Sequence, residues 1–161
     1  FTVTALEPSA AMRARGEAAA ASLPVTWCGG VAECLPFADA AFDGALFFTA
    51  IEFVSDPRTA IREAFRVVRP GGWLTIGYLN AFSGWSALSR HQASLGVEPW
   101  TAARFYTSDQ LASLAGRPAD ASSAAAWLSP LAEPPFEEAD EAGKRAGNAP
   151  ALEILLWRKP A

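Results

Sequence analysis

"AECLPFADAAFDGALFFTAIEFVSDPRTAIREAFRVVRPGGWLTIG", Ala32–Gly77, decides the fold class. It opens as a loop around Pro36 and becomes an almost uninterrupted apolar run, Ala45–Ile51. A run without alternation suits a strand covered on both faces by helices. Asp56 and Pro57 then stand where a helix N-cap and a first-turn proline belong, and Ile61, Phe65 and Val68 recur at helical spacing. Arg69-Pro70-Gly71-Gly72 reads as a stop, its glycines giving the freedom for a tight helix-to-strand turn. "WLTIGYLN", Trp73–Asn80, is the next strand. Strand, helix and strand in succession imply parallel pairing through a helical crossover.

The residues before this stretch extend the pattern. "FTVTALEPSAAM" predicts a strand over Phe1–Leu6 that ends in Glu7, followed by Pro8 and a helix over Ser9–Ala21 with Ser9 as its cap. "LPVTWCGG", Leu23–Gly30, offers a short strand closed by two glycines. An acid at the carboxyl end of a parallel strand is where a nucleotide-binding α/β protein grips a ribose, because its two oxygens accept from both vicinal hydroxyls. A glycine-rich turn normally precedes such an acid by about 20 residues. Here no Gly-x-Gly occurs anywhere in the chain.

Beyond Asn80 the pattern loosens. Residues 81–106 are aromatic and weakly helical, interrupted by Gly84, Gly96 and Pro99, as a lid or substrate segment would be. "TSDQLASLAG" is a clearer helix, capped by Thr107 or Ser108 and stopped by Gly116. "SSAAAWLSP", residues 122–130, reads as a strand, residues 133–148 as a polar loop, and "ALEILLWRK", Ala151–Lys159, as a closing strand in an antiparallel hairpin with the one before.

Composition narrows the function classes. The chain has 161 residues, 51% of them hydrophobic, enough for one core and one domain over 1–161. A net charge of -4 argues against nucleic-acid binding, which is met by a surplus of Lys and Arg. Cys28, Cys34 and the lone His91 cannot fill a four-ligand zinc site without several carboxylates, so no metal is expected. The thiols suit a reduced, cytoplasmic protein, and no apolar run reaches the length of a membrane span.

The Ala32–Gly77 stretch resembles the second half of a class I S-adenosylmethionine-dependent methyltransferase of the type 11 group. The likeness rests on Ala32-Glu33-Cys34-Leu35-Pro36-Phe37, Phe42-Asp43, Asp56-Pro57 and Arg66-Val67-Val68-Arg69-Pro70-Gly71-Gly72, four pieces in order at matching separations. "YLNAFSGWSAL" and "PWTAARFYTSDQLASL" are more loosely similar to a bacterial subgroup of that family. The resemblance implies a Rossmann-like α/β sheet of order 3-2-1-4-5-7-6, mostly parallel with an antiparallel final strand. It implies S-adenosyl-L-methionine as cofactor and a small-molecule methyl acceptor.

Roles follow position by position. Glu7 matches the ribose acid. Pro8 would lie on the adenine face, as would Met12 if it is not core packing. Val31, Ala32 and Glu33 match the loop beside adenine, although Val31 stands where the family has Asp, which leaves backbone contact or Glu33 to recognise the base. Thr49 and Ala50 match the strand end beside the methionine moiety. Glu52 and His91 are the candidate bases, and Asn80, Trp85, Trp100, Arg104 and Tyr106 the candidate acceptor wall. Arg62, Glu63 and Arg66 read as a charged outer helix face.

The missing glycine-rich turn, together with the start at Phe1, predicts an amino-terminally truncated methyltransferase with strand one absent, its sheet split and its activity impaired. The alternatives are strands two and four pairing directly, or a second chain supplying the gap. In other classes, the alternatives are a non-catalytic scaffold of the same fold and a dinucleotide-binding oxidoreductase fragment. The Leu-Pro-Phe and Arg-Pro-Gly-Gly segments disfavour the oxidoreductase. The oligomeric state does not follow from the sequence.

Overall fold

The computed structural model describes residues 2–117, 119–124 and 150–161. Strand β1 (Val3–Leu6) leads through helix α1 (Ala10–Ala19) to β2 (Val25–Cys28), and the two strands pair in parallel. Ser9 caps α1, its hydroxyl accepting from Met12 N–H. Gly16 is required here, because a Cβ on it would stand 2.2 Å from the Trp27 ring that packs across the helix. Met12 is 54% exposed, so it is not core packing.

A second sheet has the order β3-β4-β6-β5. β3 (Phe42–Phe48) runs parallel to β4 (Val68–Leu79) through helix α2 (Pro57–Val67), and β6 (Leu152–Arg158) lies antiparallel to both β4 and β5 (Ala121–Ala124). The closing hairpin is therefore antiparallel, as expected. Its predicted remainder, residues 125–130, and the predicted polar loop 133–148 lie outside the described residues, as does Phe1. Between β4 and β5 come α3 (Gly84–Ser94), a 3-10 turn at Trp100–Ala102, and α4 (Ser108–Ala115). Thr107 and Gln110 form a capping box on α4, and Gly116 closes it at φ 74°.

The core lies on one face of this sheet. Leu74, Ile76 and Tyr78 alternate along β4 and meet Leu155 and Trp157 of β6, Ile61 and Ala64 of α2, and Leu111 of α4. Each large side chain so buried stabilises the fold by about 1.5–3 kcal/mol. Asp56 caps α2 with its carboxylate on Thr59 N–H, and Pro57 follows in the first turn, as the sequence predicts.

Three expectations need correction. β3 is not covered on both faces: Ala45 and Phe47 pack on the core, while Leu46 and Phe48 are 60% and 57% exposed. Its apolar run also stops early, since Ile51 belongs to a 3-10 turn, Ile51–Phe53. Arg69-Pro70-Gly71-Gly72 is not a separate turn but an irregularity inside β4. Phe42 faces Val68 while Gly44 faces Trp73, so four residues bulge opposite Asp43 alone. Gly71 sits at φ 75°, and a Cβ on Gly72 would lie 2.5 Å from the Asp43 carbonyl. Finally, Gly84 does not interrupt a helix; it begins α3 behind the cap Ser83.

β1–β2 and the four-stranded sheet share no strand pairing among the described residues, so β1 and β3 each keep an unpaired edge.

Candidate active site

The candidate residues gather at the carboxyl ends of the parallel strands, where α/β sheets hold their ligands. Glu7 follows β1 directly. Its N–H donates to the Cys28 carbonyl at 3.0 Å, continuing the ladder, and the Arg13 guanidinium donates to its carbonyl at 3.0 Å. Ser9 N–H donates to Glu7 Oε1 at 2.9 Å, which leaves Oε2 without a hydrogen bond among the described residues. Pro8 beside it is exposed.

The loop after β2 bends at a Val31–Cys34 bridge, with Cys34 N–H donating to the Val31 carbonyl at 3.1 Å. Val31 is exposed and Ala32 half-buried. Glu33 Oε1 accepts from Ser55 N–H at 3.0 Å and Asp56 N–H at 3.1 Å. That oxygen is committed to the entrance of α2. Oε2 has no hydrogen bond among the described residues.

The outer-face reading of Glu63 and Arg66 is overturned. Arg66 donates to the carbonyls of Phe37 at 2.8 Å and Leu35 at 3.0 Å, and pairs with Asp39 and Glu63 at 2.8 Å each. Glu63 Oε2 accepts from Leu35 N–H at 3.1 Å. The Arg66 hydrogen bond holds the Glu63 carboxyl at about 2, well below its ordinary range. The reason is planar geometry: one guanidinium fork spans a helix and a loop at once. The sequence signal was the Glu-x-x-Arg spacing, which a surface ion pair would equally give. Arg62 remains exposed, as expected.

β3 ends at Thr49, whose N–H donates to the Gly77 carbonyl at 2.8 Å and whose φ is 46°. A β-branched residue in this left-handed region is strained. Exposed Ala50 then starts the 3-10 turn that carries Glu52.

Glu52 is fully buried. Its Oε1 accepts from Leu79 N–H at 2.6 Å and its carbonyl accepts from Arg104 N–H at 2.8 Å, while Oε2 has no partner. Desolvation pushes the carboxyl above its ordinary 4.5. Tyr106 Oη is also buried and meets no partner in hydrogen-bond geometry, although the Arg104 side chain lies near enough to lower the phenol; burial, the largest cause, and the Glu52 charge leave it above its ordinary value. Asn80 bridges to Tyr106, and Ala81 N–H donates to the Tyr106 carbonyl at 2.9 Å. Asn80 itself makes a turn, Oδ1 accepting from Phe82 N–H at 2.7 Å and its carbonyl from Ser83 and Ser86 hydroxyls. Arg104 also donates to the Ser55 carbonyl at 3.2 Å, tying this side to Glu33 through one loop.

Trp100 is half-buried with its ring 6.1 Å from that of Phe53, and Trp85 is half-buried in the first turn of α3. His91 is exposed on α3. The structure thus brings Glu52, Asn80, Arg104 and Tyr106 together and leaves His91 in solvent. Cys28 and Cys34 are free thiols. Among the described residues no group of His, Cys, Asp and Glu could hold a metal, and no helix is long and apolar enough to cross a membrane.

The strand orders and the antiparallel close are those of a Rossmann-like α/β fold, as in the class I S-adenosylmethionine-dependent methyltransferases. Residues 1–76 match the family described as "Methyltransferase domain". The chain is similar to a ubiquinone/menaquinone biosynthesis C-methyltransferase, UbiE, of Roseobacter denitrificans, 47% identical over 64 residues that cover 40% of this chain and 26% of that protein. It therefore spans about a quarter of that relative's length. A SAM-dependent methyltransferase of Thermotoga maritima superposes with a TM-score of 0.61 at 32% identity, over 70% of this chain and 52% of that one. The Haloferax volcanii complex of the Trm112 methyltransferase activator with its methyltransferase gives 0.73 at 16% identity, over 98% of this chain and 72% of that chain, a likeness of fold.

Proposed function

We propose that this chain binds S-adenosyl-L-methionine and forms part of an enzyme that transfers the methyl group to a small-molecule acceptor. One observation carries the reading: the segment matching the methyltransferase domain, residues 1–76, is the segment that supplies Glu7, the loop at Val31–Glu33 and the strand end at Thr49–Ala50. The residues fit that cofactor. Glu7 has one oxygen fixed by Ser9 and the other open, the donor-free arrangement a ribose diol needs. Val31 and Ala32 would border the adenine, with Glu33 Oε2 as the remaining side-chain acceptor. Thr49 and Ala50 would border the methionine end.

The cofactor, when bound, supplies a methyl group on a positively charged sulfur, already activated for displacement. The protein's own task is then alignment and exclusion of water. Asn80, Trp85, Trp100, Arg104 and Tyr106 would form the acceptor wall, residues 81–106 its lid. Glu52 is preferred over His91 as proton acceptor because it is buried beside that wall and His91 is exposed. Two free thiols suit a cytoplasmic location. The chain contains no Gly-x-Gly, and we expect it to hold the cofactor less tightly than a chain that has the turn.

Ultraviolet cross-linking with tritium-labelled S-adenosylmethionine tests the reading, on this chain and on a form with flanking residues. Label displaced by excess S-adenosylhomocysteine is the expected result. Absence of displaceable label from both folded forms would overturn it.

A further inference from the structure

Glu52 Oε2 and Tyr106 Oη are the described buried side-chain atoms without a partner in hydrogen-bond geometry, and both belong to residues tied to the end of β4. Glu52 is anchored by Leu79 N–H at the end of β4, and Tyr106 is bridged to the next residue, Asn80. The Glu52 carbonyl is joined to Arg104 N–H, two residues before Tyr106. A buried polar atom left unpaired costs about 1–3 kcal/mol, so two at one strand end point to something that satisfies both. Their capacities are complementary: a carboxylate accepts and a phenol donates.

We propose that Glu52 Oε2 and Tyr106 Oη hold the reacting hydroxyl of the methyl acceptor, which makes the chemistry O-methylation. The inference rests on the methyltransferase reading and deepens it. A hydroxyl donates its proton to Glu52 and accepts from Tyr106 through one oxygen lone pair, keeping the second for attack. A neutral amine has a single lone pair, which cannot both accept from Tyr106 and attack; a carbon acceptor offers neither contact. In the transfer, the oxygen–methyl bond forms as the sulfur–methyl bond breaks, and the hydroxyl proton passes to Glu52 Oε2. The sulfonium loses its positive charge as the carboxylate loses its negative one. A desolvated carboxyl is a stronger proton acceptor than a solvated one, as this step needs.

Phenol and aniline, the smallest pair differing in hydroxyl against amine, are the probes. Binding is read by ligand-observed NMR, transfer by mass spectrometry of anisole or N-methylaniline, and cofactor binding by separate titration of S-adenosylhomocysteine. We expect phenol to bind and to yield anisole. Glu52→Gln and Tyr106→Phe should each weaken phenol at least about fivefold, the worth of one hydrogen bond, and leave S-adenosylhomocysteine binding unchanged. Glutamine keeps the acceptor for Leu79 N–H, and unchanged cofactor binding certifies the fold. Unaltered phenol binding by both variants, failure of phenol to bind to protein that binds S-adenosylhomocysteine, or methylation of aniline in preference would overturn the hydroxyl site alone. Failure of S-adenosylhomocysteine to bind would overturn the methyltransferase reading, and this proposal with it.

Discussion

Thr49 shows what single residues contribute. Its place at the end of a strand was legible, because the apolar run and the Asp-Pro cap bracket it. Its φ of 46° was not, since nothing in the local sequence demands a left-handed threonine; the Gly77 carbonyl and the following 3-10 turn impose it. Strain of this kind costs on the order of 1 kcal/mol or more. Thr49→Gly should therefore raise stability in denaturant unfolding, the relieved strain of about 1–3 kcal/mol exceeding the roughly 0.5–1 kcal/mol that glycine's freedom in the unfolded chain costs. A lowered midpoint would mean that the residue is not strained. Glu52 was legible as an acid after the strand, but its burial depends on Leu79 and Arg104, which are far away in sequence.

Helix α2 was legible almost to the residue, because cap, proline and apolar spacing agree. What its polar face does was not legible: Glu63 and Arg66 read as a solvated pair and instead clamp the loop at Leu35–Asp39. Arg66→Ala should lower stability and speed hydrogen exchange at Leu35 N–H, because the guanidinium holds both the loop carbonyls and the Glu63 carboxylate that accepts from that amide. Exchange unchanged at that amide would show that the clamp does not order the loop. The Glu63 carboxyl is depressed in the folded state, so its contribution to stability is complete above its ordinary 4.5 and is lost as pH falls toward about 2. In Arg66→Ala that acid-side decline should shrink. The Arg-Pro-Gly-Gly segment was recognisable as irregular, yet its inclusion in β4 required knowing that Asp43 would face the bulge.

At the scale of the whole molecule, parallel pairing was readable from alternation of strands and helices and the antiparallel close from the final hairpin, while the strand order came from the family resemblance. The uncovered face of β3 was not, because an apolar run states only what prefers burial, while Leu46 and Phe48 stay exposed among the described residues. The edges of β1 and β3 left unpaired among the described residues suit pairing with a further strand, and exposed Leu46 and Phe48 suit cover on that face. The candidate site spans both sheets, with Glu7 on one and Thr49 and Glu52 on the other, so cofactor binding tests whether the two halves act as one site. The measurement to make is calorimetric titration of S-adenosylhomocysteine, into this chain and a form with flanking residues, each alongside Glu7→Ala. Saturable binding, weakened about tenfold or more by loss of the carboxylate's hydrogen bonds, is predicted. No binding by folded protein, or binding indifferent to Glu7→Ala, would contradict the account.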